Sequence, residues 1–375
     1  MNFIKVKELF EIKKGKKVEQ IEAFKEGCIR YIQIDDLRNN NNIKFCNEEK
    51  SYIISNSDDI IIAWDGANAG TIGYGLVGAI GSTLAILRKK DNNFNTEYCG
   101  LFLKSKFNYL RDKCTGATIP HISRSSLEEL EVPNIGIEKQ KKIANILNLT
   151  QELIDKRKEQ IEELDLLIKS KFIEMFGNPV SNPKGWEKVA LIDLGELARG
   201  KSKHRPRNAP ELMNGPYPLI QTGDVANAGI YIKEYTQTYS ELGLQQSKMW
   251  KAGTLCITIA ANIAKTTILT FDACFPDSIV AFIPNEKTNT MFIQFWMSFL
   301  QKILEDSAPE SAQKNINLKI LGEQRVIVPP IEFQNQFADF VKQVDKLKFE
   351  MENSLKKLED NFNSLMQKSF NGELV

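Results

Sequence analysis

Histidine is the scarcest chemistry-bearing residue in this chain, with two copies in 375 residues, His121 and His204. Two separated histidines leave no HExxH pair and no Cys/His cluster, so no zinc site is expected. The six cysteines (28, 46, 99, 114, 256, 274) include no C-x-x-C pair, which reads as reduced thiols of a cytoplasmic protein rather than a disulfide framework. Net charge is also lacking: 49 basic residues face 48 acidic ones. Counted by segment, residues 1–135 carry +1, 136–183 zero, 184–330 +2 and 331–375 −2. No global field advertises a polyanion partner, so any nucleic-acid site must be a local patch. Long apolar runs are absent as well. The most neutral stretch, Ile60 to Leu87, holds glycines at 66, 70, 73, 75, 78 and 81 and reads as short strands joined by turns, not as a membrane helix. The first residues, MNFIKVKELFEIKKGKK, form a charged amphipathic stretch without an apolar signal core.

Catalytic signatures are missing too. No G-x-S-x-G occurs, and the single P-D pair, Pro276-Asp277, has no suitable D/E-x-K after it for a restriction-type nuclease. Asn178-Pro179 and Val328-Pro329-Pro330-Ile331 do not fit the N-P-P-aromatic segment of an adenine methyltransferase. Gly195 to Ser202 does spell G-x-x-x-x-G-K-S. A working phosphate loop must open a helix, however, and Pro206 and Pro210 follow at once. We read the match as a coincidence within a basic loop.

What the chain does contain is itself, twice. From Ile137 onward, adding 194 restores the pattern: Ile137-Glu138 and Gln140 fall on Ile331-Glu332 and Gln334, Ala144 on Ala338, Leu164 on Leu358, Ser170 on Ser364 and Phe176 on Phe370. Upstream, small gaps align Val132-Pro133 with Val328-Pro329, Ser82 with Ser278, GATIPHI (116–122) with AQKNINL (312–318), and 5–16 with 188–201. Each copy ends in a long helix with one apolar stripe: Leu153 or Ile154, Ile161, Leu164, Ile168 and Phe172 in the first, and Val344, Leu347, Met351, Leu355, Leu358, Phe362 and Leu365 in the second. Helices of about 40 residues reach ~60 Å at ~1.5 Å per residue, longer than such a domain is wide, so the two are expected to pair as an antiparallel coiled coil. The class is α+β: two pseudo-repeated mixed α/β domains, at 1–135 and 179–330, each followed by a long helix, at 136–178 and 331–375. Strands are expected near 30–34, 51–54, 59–64, 70–77 and 82–88 and a helix near 96–112. In the second copy, strands near 217–221, 254–260, 265–270 and 278–283 precede a helix near 290–304.

The remaining chemistry is that of binding. Lys13, Lys14, Lys16 and Lys17 form one basic turn, and Arg199, Lys201, Lys203, His204, Arg205 and Arg207 form a stronger one at the matching place. Arginine can fork onto phosphate or onto a guanine edge. A second loop set offers Thr118, His121, Ser123 and Arg124 in copy one and Gln313, Lys314, Asn315 and Asn317 in copy two. Asn and Gln can pair with adenine, and hydroxyls hold phosphate.

In order and spacing these features resemble the specificity subunit of type I restriction–modification enzymes. The resemblance is carried by the run Val189 to Lys201, the loop SAQKNIN at Ser311–Asn317 leading to Val328–Pro330, the following I-E-x-Q at 331–334, and F-N-G-E-L at Phe370–Leu374. Copy one answers with GATIPHI, V-P at 132–133, I-E-K-Q at 137–140 and F-I-E-M-F-G at 172–177. It implies two target-recognition domains, each reading half of a split double-stranded DNA sequence through the loops just named, and a helical spacer between them. It implies docking of two methyltransferase subunits and of motor-nuclease subunits. S-adenosylmethionine, ATP and magnesium would sit on those partners, with no cofactor, metal or catalytic residue on this chain and no membrane. A stand-alone DNA-processing ATPase using residues 195–202, and a purely structural coiled-coil adaptor, are the alternatives.

Overall fold

The computed structural model describes residues 2–116, 118–260, 263–306, 316–371 and 373. The chain forms two compact units, one of residues 1–159 with 352–375 and one of residues 160–351.

In the first unit, strand Asn2–Lys5 pairs antiparallel with Glu131–Asn134, so the start of the domain is tied to the segment that leads into the long helix. The central sheet runs Phe10–Lys14, Leu84–Lys89, Ile60–Ala63, Ile72–Tyr74, all antiparallel. Ile60–Ala63 is buried along its whole length, which is why IIIA is a continuous apolar run and not an alternating one. A second, five-stranded sheet runs Gln20–Ile21, Lys44–Asn47, Cys28–Ile32, Gly78–Ile80, Ile54–Ser55. The helix expected near 96–112 is two helices, Thr96–Ser105 and Phe107–Asp112.

The second unit repeats the plan. Lys188–Ala190 pairs with Arg325–Ile327. Gly195–Arg199, Ile279–Pro284, Leu255–Thr258 and Thr266–Leu269 give the same four-strand order, extended by Tyr231–Ile232. A separate sheet of Gln237–Tyr239, Met213–Leu219, Ala273–Cys274 and Met249–Trp250 completes it, and helix Thr290–Asp306 lies on the central sheet.

Each long helix is continuous, Ile137–Phe176 and Ile331–Asn371. The first ends at Gly177, whose φ of +77° is the left-handed conformation that glycine adopts at least cost. In the second unit the helices run antiparallel: Asp165 meets Lys348 at 2.7 Å, while further along the first helix Phe172 and Phe176 meet Phe337. In the first unit Lys158 meets Glu359 at 2.9 Å, and Phe370 joins the core that contains Ile143, Ala144 and Leu147.

The repeat register needs correction upstream of the long helices. The amide of Ile122 donates to Trp64 O, and that of Ile316 donates to Ile259 O. The amide of Val6 donates to Leu130 O, and that of Leu191 to Gln324 O. From residue 122 onward the offset is therefore 194 without a gap. Val132-Pro133 superposes on Val326-Ile327, and the visible V-P match at 328–329 is two residues out of register. Likewise Thr83, not Ser82, holds the place of Ser278, because both accept from the residue after the buried strand.

Candidate nucleic-acid interface

Strand Phe10–Lys14 carries Lys13 and Lys14, so the expected basic turn is in fact a strand end. Phe10 and Ile12 face the core while Glu11 and Lys14 stand out. Lys13 bonds Glu11 at 2.9 Å, and Lys16 and Lys17 are exposed on the loop beyond Gly15. Gly15 has to be glycine: a Cβ there would lie 2.2 Å from Gly81 O. Its counterpart Gly200 is under the same constraint, 2.3 Å from Pro276 O. This close backbone approach accounts for the glycine that the two copies share.

Lys14 Nζ reaches Asp65 Oδ2 at 2.8 Å, and His121 Nδ1 lies 2.6 Å from Asp65 Oδ1. Residues 115 and 121 exchange backbone hydrogen bonds, and Gly66 N donates to Pro120 O, so the GATIPHI loop is laced to the turn that follows the buried strand. Burial pushes the Asp65 carboxyl up, but the hydrogen bonds from Lys14 and His121 outweigh it and the net direction is down. Arg111 donates to Ala67 O at 2.6 Å and Arg38 to Asn68 Oδ1 at 2.7 Å. Ser123 caps Arg124–Glu128 by accepting from Ser126 N, and Arg124 bonds Glu128 at 2.8 Å. Thr118 is exposed.

In the second unit Arg199 ends strand Gly195–Arg199 and lines a cleft of about 280 Å³ with Arg207, Ala260, Asp277, Ser278 and Asn317. Arg207 bonds Asp277 at 2.5 Å; Arg205 lies 3.7 Å from the same carboxylate and donates to Ser202 O and His204 O. Gln246 Oε1 accepts from the amides of Lys203 and His204, at 2.7 and 3.1 Å. Lys201 is exposed, and Asn317 caps Leu318–Gly322 through Ile320 N. Gln313, Lys314 and Asn315 lie outside the described residues. The amides of Gly200 and Lys201 donate to Ile279 O and Phe275 O. Residues 195–199 are thus a strand, and the amides of Gly200 and Lys201 at its exit are committed to neighbouring carbonyls, so this is not the helix-opening loop that a phosphate cradle needs.

The two copies therefore bring the same backbone positions to one niche and fill it differently. Lys14, Asp65, Thr83 and Ser123 in the first unit stand where Arg199, Ala260, Ser278 and Asn317 stand in the second. Asp65, Arg38 and Arg111 do not stand out as site residues in the sequence, and Asp277 does so only as half of a P-D pair, because isolated charges carry no periodic signal and their partners are distant in the chain.

The family model of the type I restriction modification DNA specificity domain matches residues 1–163 and again 183–359. The chain belongs to this family. Among its relatives in the family, the MjaVIII specificity subunit of Methanocaldococcus jannaschii is 25% identical over 373 residues, covering 92% of this chain and 86% of the relative. The EcoBI specificity subunit of Escherichia coli is 22% identical over 352 residues, covering 85% and 74%. The fold is that of the type I restriction-modification S subunit from M. genitalium, with a TM-score of 0.60 at 18% identity over 98% of this chain and 96% of that one. A chain from a study of complex assembly and conformational transition of the type I R-M system gives 0.61 at 17% identity, over 98% and 97%. This protein is thus a type I specificity subunit with two target-recognition domains. Among the described residues no helix is long and apolar enough to cross a membrane.

Proposed function

We propose that each unit reads one half of a two-part double-stranded DNA target, and that the niche at Lys14/Asp65/Ser123 and its counterpart at Arg199/Ala260/Asn317 belong to the reading surfaces. The observation that carries this is the duplicated niche with different side chains: one scaffold presented twice, altered where base edges and phosphates would be met. The chain contributes no catalytic group. Two methyltransferase subunits and the motor-nuclease subunits dock on it in the cytoplasm and supply the sites for S-adenosylmethionine, ATP and magnesium. Apolar side chains left half-exposed on the long helices support docking: Ile146, Leu149 and Leu153 in the first unit, Leu166, Phe333 and Phe349 in the second.

The test is domain exchange. Replacing residues 1–135 by the corresponding domain of another specificity subunit is expected to change one half of the methylated sequence and leave the other intact. A change in both halves, or none, counts against two independent readers. Binding of the complex to DNA without sequence preference would favour the adaptor reading.

A further inference from the structure

Gln140 and Gln334 are fully buried, although each is a polar side chain in the first turn of a long helix. Gln140 Oε1 accepts from the amide of Asn95 at 2.8 Å, and its Nε2 donates to Ile135 O at 2.7 Å. Asn95 is the residue that caps helix Thr96–Ser105, accepting from Tyr98 N. One side-chain amide therefore joins the first turn of the long helix, the segment that leads into that helix, and the start of the helix packed on the recognition sheet.

The arrangement recurs at an offset of 194. Gln334 Oε1 accepts from the amide of Asn289 and from Thr288 Oγ1, each at 3.0 Å, while Nε2 donates to Pro329 O at 2.8 Å and Lys287 O at 3.1 Å. Asn289 sits immediately before helix Thr290–Asp306, as Asn95 does before its helix. The partners on one side are N–H or O–H donors and on the other carbonyls. A neutral amide offers an acceptor and donors together; a carboxylate offers only acceptors and a thioether effectively neither. Apolar packing alone is non-directional and tolerates sliding and rotation, whereas a two-armed hydrogen bond fixes both.

We propose that Gln140 and Gln334 are positioning residues that lock each recognition domain onto the first turn of its own long helix, so that the assembled complex accepts a single spacer length. This rests on the reading of a two-part target given above. The chain, purified with its methyltransferase subunits, is offered DNA carrying both native half-sites separated by the native spacer or by one base pair more or less. The Gln140→Met/Gln334→Met chain is expected to lose about tenfold of the preference for the native spacer, as expected for losing a buried hydrogen-bonding group, with the half-site sequences unchanged. Gln140→Met alone leaves the Gln334 lock intact and is expected to fall in between. Unchanged spacer preference in both variants overturns the positioning role and leaves two-part reading intact. A wild-type complex with no two-part target overturns the underlying reading instead. Should the double variant fail to assemble, the single Gln140→Met chain decides on the same readout.

Discussion

Arg199 and Arg207 line one cleft but differ in their electrostatic state. Arg207 is held by Asp277, and Arg205 shares that carboxylate, whereas no hydrogen bond or ion pair is found for the Arg199 side chain among the described residues. A guanidinium already paired must give up its partner before it can meet DNA; an unpaired one need not. Arg199→Ala is therefore expected to weaken specific DNA binding by the assembled complex by about 1–3 kcal/mol, and more than Arg207→Ala does. Equal effects in a binding titration across a salt series would remove the distinction. On the other unit, Asp65 has a depressed pKa, so its ion pair with Lys14 and its hydrogen bond with His121 stabilise the fold above the ordinary carboxylate range, and that contribution is lost as pH falls through the depressed value. Asp65→Asn should be less stable than wild type at neutral pH, with the gap closing below about pH 4. Denaturant melts at several pH values check this, and a gap of constant size would mean that Lys14 and His121 do not hold the carboxylate. Neither site was legible as a pair in the sequence. Lys14 and Asp65 are 51 positions apart and meet only because the strands ending at 14 and 63 flank the same central strand, Leu84–Lys89.

At the scale of elements, the long helices were the most readable part and the short strands the least. A stripe repeated over 40 residues survives local noise, yet it mislocates single positions. Of Leu153 and Ile154, the structure buries Ile154 to 2% exposure and leaves Leu153 at 55%; Leu347, counted in the stripe, is 44% exposed. A straight helix drifts about 20° per heptad against a fixed repeat, so a stripe of constant spacing wanders off the seam. Strand Phe10–Lys14, by contrast, buries only Phe10 and Ile12, too few residues to show a period beneath the lysines. The aromatic anchor of the second unit tests which helix contacts matter. Phe172 is fully buried, with ring centroids 5.0 Å from Phe176 and Phe299, 5.5 Å from Phe292 and 5.3 Å from Phe337. Phe172→Ala is expected to cost about 3–5 kcal/mol, through lost burial and the cavity left behind. Leu166→Ala, exposed on the same helix, should change stability by no more than about 0.5 kcal/mol. Chemical denaturation of the two variants compares them directly, and similar midpoints would show that the aromatic knot does not anchor the helix.

At the scale of the whole molecule, the proposed two-part reading raises the question of what would set the distance between the two half-sites. Helical rise converts added residues into length: four residues add ~6 Å, nearly two base pairs at ~3.4 Å each. Four residues are also close to one turn, so the apolar stripe stays roughly in phase. The antiparallel pairing adds a condition. Lys158 bonds Glu359 in one unit, and Asp165 bonds Lys348 in the other. An insertion in one helix alone leaves the other four residues short and shears one of these pairings against the other. The insertion has to be matched, four residues between 158 and 165 and four between 348 and 359. The matched variant is expected to assemble and to methylate sites whose unread spacer is longer by about one or two base pairs, with both half-sites unchanged. A two-residue matched insertion turns the stripe by ~200° and is expected to prevent assembly. Sequencing the methylated sites of the four-residue variant gives the result. An unchanged spacer in a stable, active complex would mean that something other than these helices measures the distance.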